Sequence, residues 1–278
     1  MSGARLSAAD AVHFAREALE GGAPMAAVTV VDAEGDGAPR PGERLCVWAE
    51  RHAGTLGGAQ LDEAAVRMAR AALADGSPAG SREVEADGIR CALYVEAHRP
   101  PPELVIVGAG HIARPLCRVG AMLGFRVTVL DDRPAFATRE RFPEAAEVRR
   151  ADFGDPFRGV RMGPGTHLVL VTRGHKYDFE ALRDVLRRDQ VPAYVGMVGS
   201  RRRTRAALQA LAREGIGPER LRAIHAPVGL DVRAETPEEI AVAIGAELVL
   251  VRRGGTGRPL RDLERVAERW VGREPGTE

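Results

Sequence analysis

Short apolar runs alternate with amphipathic stretches along most of the chain, and this alternation predicts the order of its strands and helices. After residue 100 the runs are apolar throughout, as expected of strands buried on both faces of a sheet. They lie at 104–107, 125–130, 166–172 and 192–198, with a weaker candidate at 147–150. Segments with helical periodicity follow most of these runs, and strands that alternate with helices predict an open, mostly parallel sheet.

The part of the chain before residue 100 has a less regular pattern, which predicts a smaller α+β domain over 1–99. We predict a helix from the N-cap Ser7 to Leu19 and a second helix that ends near residue 74. Strands are predicted at 26–31, 44–49, 82–86 and 89–97, and the last two form a hairpin. At the other end of the chain, residues 253–278 are rich in Gly and Arg, and we predict a tail with one short helix there.

The strongest motif follows the first apolar run of the second half. Gly108-Ala109-Gly110-His111-Ile112-Ala113 is a G-x-G-x-x-A sequence between a predicted strand and a predicted helix. The first glycine allows a tight turn, the second lets a phosphate approach the backbone, and the alanine lets helix and strand pack closely. The next strand ends in Asp131-Asp132, about 20 residues later, where such a fingerprint has its acid. We therefore predict an α/β fold, in which a Rossmann-like, mostly parallel sheet over 102–252 is preceded by the smaller α+β domain.

This motif and the acidic strand end supply six candidate cofactor-binding residues: Gly108, Gly110, His111, Asp131, Asp132 and Arg133. A helix start offers unpaired N–H groups and the positive end of its dipole, which together suit an anion such as a phosphate. A simpler interpretation is that the glycines only shape the turn, that the histidine is a loop residue, and that an aspartate caps the next loop. The sequence leaves both interpretations open.

Two further polar clusters follow apolar runs, and ligands of parallel sheets bind beyond the carboxyl ends of the strands. In the first cluster, His175 and Asp178 lie three residues apart at a helix start, as candidate catalytic groups or as a helix cap. In the second cluster, Ser200 with Arg201 and Arg203 suits a phosphate or a carboxylate, or else forms an exposed basic helix face.

A glycine-rich turn at 54–60 leads into the second helix of the first domain. Glycine lets a backbone come close to a ligand, so Gly57, Gly58 and Gln60 are candidates for a cofactor cradle at a helix start. A plain turn between a strand and a helix would use the same residues, and this interpretation also stays open.

Composition and charge exclude several classes of function. The chain has 278 residues, a formal net charge of +1 and 4% aromatic residues, which argues against nucleic acid or a membrane surface as a partner. Its 3 cysteines have no C-x-x-C pair and no histidine at metal spacing, so no metal site is predicted and a reduced, cytoplasmic compartment is expected. The first residues form an acidic amphipathic helix rather than a signal peptide, and no apolar run approaches the roughly 20 residues of a membrane span.

These motifs together resemble the xanthine dehydrogenase accessory protein (XdhC/CoxI) family over about residues 25–250. No single piece carries the resemblance, which depends on the order in which the pieces occur. The pieces are 27–31, 38–42 and 54–58 in the first domain, then 108–113, 123–125, 131–133, 194–202, 227–231 and 236–241.

The resemblance implies a maturation factor rather than a metabolic enzyme. Such proteins are understood to bind molybdenum cofactor, a phosphorylated pyranopterin dithiolene, and to hold it while its sulfurated form is made. They then insert it into a molybdenum hydroxylase, so the implied partners are a xanthine dehydrogenase-type client and a cofactor sulfurase. We expect the cofactor to lie between the two domains, and we leave open whether two chains form a homodimer.

One position departs from the family pattern. Some members carry a cysteine in the glycine turn, whereas this chain has Gly57-Gly58-Ala59-Gln60 there, which excludes a thiolate ligand at that turn. Cys46, Cys91 and Cys117 are expected to pack as small apolar groups in strands and in a helix.

Two other functions remain open. The first is a nucleotide-dependent oxidoreductase that holds NAD(P) on the glycine motif, with His175 as proton donor; an acid at Asp131 would favour NAD over NADP. The second is a scaffold that only bridges the dehydrogenase and the sulfurase. A self-contained hydrolase is not expected, because no nucleophile with an adjacent base stands out.

Overall fold

The computed structural model describes residues 4–75, 78–86, 88–152, 154–160 and 162–264, except for the side chains of Asp75, His175 and Glu264. The chain divides between Pro101 and Pro102 into two compact units. The division falls in a run of three prolines that starts at residue 100. Prolines cannot donate to a β-ladder, which explains why the last strand of the first unit ends just before them.

The first unit is an antiparallel sheet with a helix on each face. Its elements are α1 (Ala8–Leu19), β1 (Met25–Glu34), β2 (Arg44–Val47), β3 (His52–Gly54), α2 (Ala59–Asp75), β4 (Gly80–Ala86) and β5 (Ile89–His98). The strands lie in the order β3-β2-β1-β5-β4. Successive side chains of β1 point to opposite faces of the sheet. Val28 and Val30 pack with α2 on one face, and Met25 and Ala27 pack with α1 on the other.

The local signals in this unit predicted every described helix and strand except β3, with small shifts in their ends. Ser7 caps α1 in a capping box with Asp10, because each side chain bonds to the other residue's backbone N–H. The predicted hairpin is present as β4 and β5. Strand β3 was not predicted, because its three residues, His-Ala-Gly, are too few to show an alternating pattern.

The second unit alternates strands and helices. Its elements are β6 (Glu103–Val107), α3 (Ala113–Met122), β7 (Arg126–Asp131), β8 (Glu147–Arg150), β9 (Thr166–Leu170), α4 (His175–Arg187), β10 (Tyr194–Met197), α5 (Arg201–Arg213), α6 (Pro218–Arg222), β11 (Ile224–His225), α7 (Pro237–Arg253) and α8 (Leu260–Glu264). The short elements α6 and β11 were not predicted, since five and two residues are too short for a periodic signal.

The six strands of this unit form one parallel sheet in the order β11-β10-β9-β6-β7-β8. This is the strand order of the Rossmann fold, and the predicted α/β class is confirmed. The order reverses between β6 and β9, where the loops after the two strands diverge to opposite sides. Ligands of such sheets bind in the crevice at that switch point.

Both faces of the parallel sheet are buried, as its wholly apolar strands predict. One face packs against α4 and α5, through Val105 and Leu168 among others, and the opposite face packs against α3 and α7. Two glycines allow the close approach of α3. A Cβ atom at Gly120 would lie 2.5 Å from Leu104 of β6, and one at Gly245 of α7 would lie 2.5 Å from Val119 of α3.

Candidate functional site

The glycine turn after β6 lies at the switch point of the parallel sheet, and its two glycines have different roles. Gly108 has φ +104°, and a Cβ atom there would lie 2.6 Å from the carbonyl oxygen of Val171. The packing of the two diverging loops therefore requires this glycine. At Gly110 no described atom lies within 4 Å of the position of a Cβ. The fold itself does not require a glycine there, whereas a ligand that approaches the backbone would.

Asp131, at the end of β7, binds the glycine turn rather than facing solvent. The backbone N–H of Ala109 donates to its Oδ2 at 2.6 Å, and the Arg133 guanidinium donates to both carboxylate oxygens at 2.8 Å. Burial favours a neutral carboxyl, but these hydrogen bonds outweigh it, so the pKa of Asp131 is lowered. Asp131 is 2% exposed and acts as a clamp on the turn. A cofactor contact by this residue stays a prediction.

Two guanidinium groups flank one phenyl ring beside the glycine turn. The Cζ atoms of Arg133 and Arg141 lie 3.6 and 4.7 Å from the ring centroid of Phe136. Arg141 also donates to the carbonyl oxygen of Ala109 at 3.2 Å, while its buried Nε has no partner among the described residues. The sequence prediction missed Arg141, because nothing in a charged loop indicates which arginine folds back over the turn.

A third arginine lies close to Arg133 at the edge of the sheet, and we call Arg133, Arg141 and Arg173 the positive edge. Arg173 lies in the loop after β9, three residues beyond the end of the strand, and its Nη2 lies 2.8 Å from Asp132 Oδ2 and 2.8 Å from the Tyr177 hydroxyl. Asp132, a predicted cofactor-binding residue, thus orients a guanidinium that was not predicted. The signal that could have identified Arg173 is its position in the loop after a buried strand.

The structure brings Asp178 and Arg203, from the two predicted clusters, into contact. Asp178 is 4% exposed, and its Oδ1 accepts a hydrogen bond from Thr172 Oγ1 at 2.6 Å. Arg203 Nη2 lies 3.5 Å from Asp178 Oδ2. The loop after β9 therefore connects the positive edge to this buried carboxylate.

The structure does not bring the Arg201 and Arg203 side chains of the predicted anion site together, and anion binding at the start of α5 stays a prediction. Ser200 caps the helix, since its hydroxyl accepts from the backbone N–H of Arg203 at 3.3 Å. Arg201 is exposed, whereas Arg203 turns towards Asp178. The reason is helical geometry, because residues two apart do not face the same side of a helix.

The roles of the two histidines of the predicted site stay open. His111 is exposed in the glycine turn. His175 is the first residue of α4, and its side chain lies outside the described part of the structure. A catalytic role for His175 remains a prediction.

The glycine turn of the first unit is held by its own aspartate. Asp62 accepts from the Thr55 hydroxyl at 2.7 Å and from the Leu56 backbone N–H at 2.6 Å. Gly57 has φ +98°, which suits glycine, and Gln60 is exposed. These contacts fit a turn between a strand and a helix, and a cofactor contact by Gly57, Gly58 or Gln60 stays a prediction.

The cysteines do not contribute reactive thiolates. All three, Cys46, Cys91 and Cys117, are buried and free. Burial raises the pKa of Cys46 and of Cys117 to about 11 and also raises the pKa of Cys91. Within the described residues, no three His, Cys, Asp or Glu side chains lie together in a way that could hold a metal ion.

The described arrangement suits the binding of an anion. Its backbone turn is open at Gly110, and guanidinium groups on neighbouring loops favour phosphate or carboxylate oxygens. Among the described contacts, hydroxyl groups bond to carboxylates, as Thr172 does to Asp178, but no serine, cysteine or threonine side chain bonds to a histidine or a lysine. In the part of the chain that the structure describes, no helix is both long and apolar enough to cross a bilayer.

Comparison with known proteins gives family matches over both units. A family model described as the XdhC Rossmann domain matches residues 104–248, and one described as the XdhC and CoxI family matches residues 18–85. The uncharacterized protein YqeB of Escherichia coli K12 is 30% identical over 246 residues, which cover 84% of this chain and 44% of that protein. A Bacillus subtilis protein named as a probable xanthine dehydrogenase subunit is 31% identical over 161 residues, which cover 58% of this chain and 46% of that protein.

The chain thus spans less than half the length of each of these two relatives. A crystal structure from Bacillus halodurans, described as a xanthine dehydrogenase, superposes with a TM-score of 0.52 at 19% identity. The superposition covers 91% of this chain and 99% of that one, and it shows a shared fold. Because the Rossmann-domain model alone matches more than half of the chain, the protein belongs to the XdhC family.

Proposed function

We propose that this protein is a maturation chaperone that binds molybdenum cofactor and inserts it into a xanthine dehydrogenase-type molybdenum hydroxylase. A cofactor sulfurase is the second proposed partner. Membership of the XdhC family supports the proposal, as does similarity to a protein whose name links it to xanthine dehydrogenase. The cofactor supplies the redox metal centre of the client, whereas this chain only binds it and releases it.

The observation that carries the proposal is the pairing of an open glycine with a guanidinium that has no carboxylate partner among the described residues. The position beside Gly110 is open, and Arg141, from the loop after β7, bonds to the backbone carbonyl of Ala109 in this turn and contacts a phenyl ring. A terminal phosphate would supply the missing negative charge and accept from the backbone N–H groups of the turn. The residues present therefore fit the phosphate end of the cofactor.

The chain's own residues fit a carrier better than an enzyme. Burial keeps the thiols protonated, so they are poor ligands for molybdenum and poor nucleophiles. Carboxylates near the turn, Asp131 and Asp132, bond to arginines. They orient positive groups towards the edge of the sheet rather than acting as an acid–base pair.

A transfer assay tests this function. The chain loaded with cofactor is mixed with cofactor-free xanthine dehydrogenase-type client, and the recovered xanthine oxidation is measured. We expect the wild-type chain to activate the client and Arg141→Ala to activate it at least about tenfold less, because a charged hydrogen bond contributes roughly 1.5–3 kcal/mol. The control is Arg205→Ala, an exposed arginine of α5. Equal activation by Arg141→Ala, or by free cofactor alone, would contradict the proposal.

The strand order and the G-x-G-x-x-A turn favour a second candidate, a dinucleotide-binding oxidoreductase. The buried clamp role of Asp131 removes the acid that would bind an NAD ribose, and the nearby arginines suit a phosphorylated ribose better. Calorimetric titration with NAD and NADP separates the two functions. Tight binding together with turnover would favour the oxidoreductase, whereas weak or absent binding would favour the chaperone.

A further inference from the structure

An apolar cavity of about 310 Å³ lies at the carboxyl end of β10, between α4 and α5. Its walls include Phe179, Met197 and Ala207, and the charged residues in its lining are Asp178 and Arg203. Small-molecule pockets have volumes of about 300–1,000 Å³, so this cavity is large enough for a bicyclic ring but small for a whole dinucleotide. The chemistry of its ligand therefore depends on one carboxylate and one guanidinium.

The position of the Asp178 carboxylate is set by the loop after β9. Thr172 donates its hydroxyl hydrogen bond at 2.6 Å, and the aspartate is 4% exposed. The contact with Arg203 is longer, at 3.5 Å, which is beyond the usual range of an N–H···O bond. The Arg203 side chain is 35% exposed. A ring that enters the cavity would thus meet a carboxylate held by Thr172 and a partly exposed guanidinium beside it.

A carboxylate that lines an apolar cavity favours ligands with adjacent N–H donors. A ligand without such donors would cover the charge and offer no hydrogen bond, which costs free energy. A guanidinium beside it donates to a carbonyl oxygen. The edge of a 2-amino-4-oxopyrimidine combines these features, with an amino group, a ring N–H and a carbonyl side by side. Pterins and guanine both carry this edge.

We propose that Asp178 and Arg203 form a heterocycle subsite that takes the 2-amino-4-oxopyrimidine edge of its ligand. The Asp178 carboxylate accepts from the amino group and the ring N–H, Arg203 donates to the carbonyl, and Phe179 and Met197 contact the ring. The assignment rests on the proposed function, since it gives the pterin end of the cofactor a site separate from its phosphate end. Asp178 and Arg203 are then specificity-determining residues.

Binding of small heterocycles to the purified full-length chain tests the subsite. The probes are pterin, lumazine, which has a carbonyl in place of the 2-amino group, and the monophosphates of guanosine and adenosine. We expect the wild-type chain to bind pterin at least about tenfold more tightly than lumazine, since a hydrogen bond to a charged group contributes roughly this factor. Asp178→Asn should abolish this discrimination. Asp184→Asn, a half-buried aspartate on the same helix paired with Arg188, should leave it unchanged.

A second variant covers the case in which Asp178→Asn does not fold. Ala207→Leu fills the cavity from α5 and should lower pterin binding, whereas Ala212→Leu, exposed on the same helix, should not. Binding of guanosine monophosphate that depends on Asp178 in the same way supports the subsite and assigns it to guanine nucleotides. Equal binding of pterin and lumazine, or of the adenosine and guanosine nucleotides, would overturn it.

The failure of the subsite can be told apart from the failure of the proposed function. A chain that carries molybdenum cofactor from cells but does not discriminate pterin from lumazine would overturn the subsite alone. A chain that discriminates pterin through Asp178 but carries no cofactor would overturn the maturation function alone.

Discussion

Asp131 shows how one carboxylate can satisfy a sequence fingerprint and yet have another role. The spacing of about 20 residues from the glycines correctly places it at the end of the second strand. Spacing carries no information on Arg133, two residues later, which folds back and bonds to both carboxylate oxygens. Residue types and intervals therefore predicted where the site lies, whereas the direction of each side chain depended on contacts that only coordinates show.

The clamp role of Asp131 predicts a loss of stability in Asp131→Asn. We expect the free energy of unfolding at neutral pH to fall by about 1.5–3 kcal/mol, because the half-buried Arg133 guanidinium would lose the charged acceptor of its hydrogen bonds. Urea unfolding followed by circular dichroism measures this change. Asp155→Asn, which removes an exposed pair with Arg158, is the control and should cost at most about 0.5 kcal/mol.

The lowered pKa of Asp131 also predicts how its contribution to folding stability changes with pH. Its stabilising contribution is complete above the unfolded-state pKa of about 3.9 and is lost as the pH falls from there through the lower folded-state value. The difference in stability between the wild-type chain and Asp131→Asn should therefore shrink in acid. A difference that stayed constant over this range, or that was absent at neutral pH, would refute the clamp.

Burial of the three cysteines predicts low thiol reactivity. With a pKa of about 11 for Cys46 and Cys117, only roughly a thousandth of each thiol is thiolate at about pH 8. A colorimetric disulfide reagent should modify the native chain slowly and the urea-unfolded chain completely. Fast modification of the native chain would show an accessible, acidic thiol and would reopen a thiolate ligand for molybdenum.

At the scale of elements, local chemistry predicted the long helices and the buried strands well. The Thr236-Pro237-Glu238-Glu239 sequence opens α7 as a capping box, as its residue types indicate. Elements of two to five residues, β3, α6 and β11, escaped prediction because tertiary pairing rather than periodicity creates them. The last two lie beside β10, next to a polar network that sequence could not reveal.

This network connects α7 to the edge of the parallel sheet through Glu247. Its Oε2 accepts from the Tyr194 hydroxyl at 2.5 Å and from the Gly229 backbone N–H at 2.7 Å, and its Oε1 lies 3.1 Å from His225 Nδ1. Burial raises the pKa of Tyr194, and Glu247 raises it further. The tyrosine therefore stays a neutral donor within a network that holds two elements together.

Glu247→Ala should lower the free energy of unfolding by about 1–3 kcal/mol, because it leaves the buried Tyr194 hydroxyl without its acceptor. Removing that hydroxyl as well, in Tyr194→Phe with Glu247→Ala, should cost less than the sum of the single changes. Urea unfolding of the four chains measures the coupling. Strict additivity would contradict the network, and Glu238→Ala, exposed on the same helix, is the control with an effect of a few tenths of a kcal/mol.

At the scale of the molecule, the sequence predicted an α/β class with a smaller α+β unit before a Rossmann-like sheet. Alternating apolar strands and helices were sufficient for this, since connection rules leave few topologies for such a pattern. The site was predicted only in part. Gly110 and Asp178 were identified as candidates, whereas Arg141 and Arg173 became visible only when the loops after β6, β7 and β9 met at one edge of the sheet.

At this scale we propose a carrier, whose positive edge and open glycine turn would hold a phosphorylated ligand without altering it. The Arg141 side chain and the position beside Gly110 are central to that edge. In the same region the Asp131 carboxylate bonds to an arginine, and the three thiols of the chain are buried. What distinguishes a carrier from a nucleotide-dependent enzyme is the molecule that it retains.

The most direct measurement is the cofactor content of the protein purified from cells that make molybdenum cofactor, with cells that cannot make it as control. The bound material is oxidised to its fluorescent pterin derivative and quantified against protein. We predict pterin in amounts comparable to the protein from the first cells, clearly less with Arg141→Ala, and none from the second. Absence of the pterin from wild-type protein, or retention of a nicotinamide dinucleotide in its place, would contradict the account.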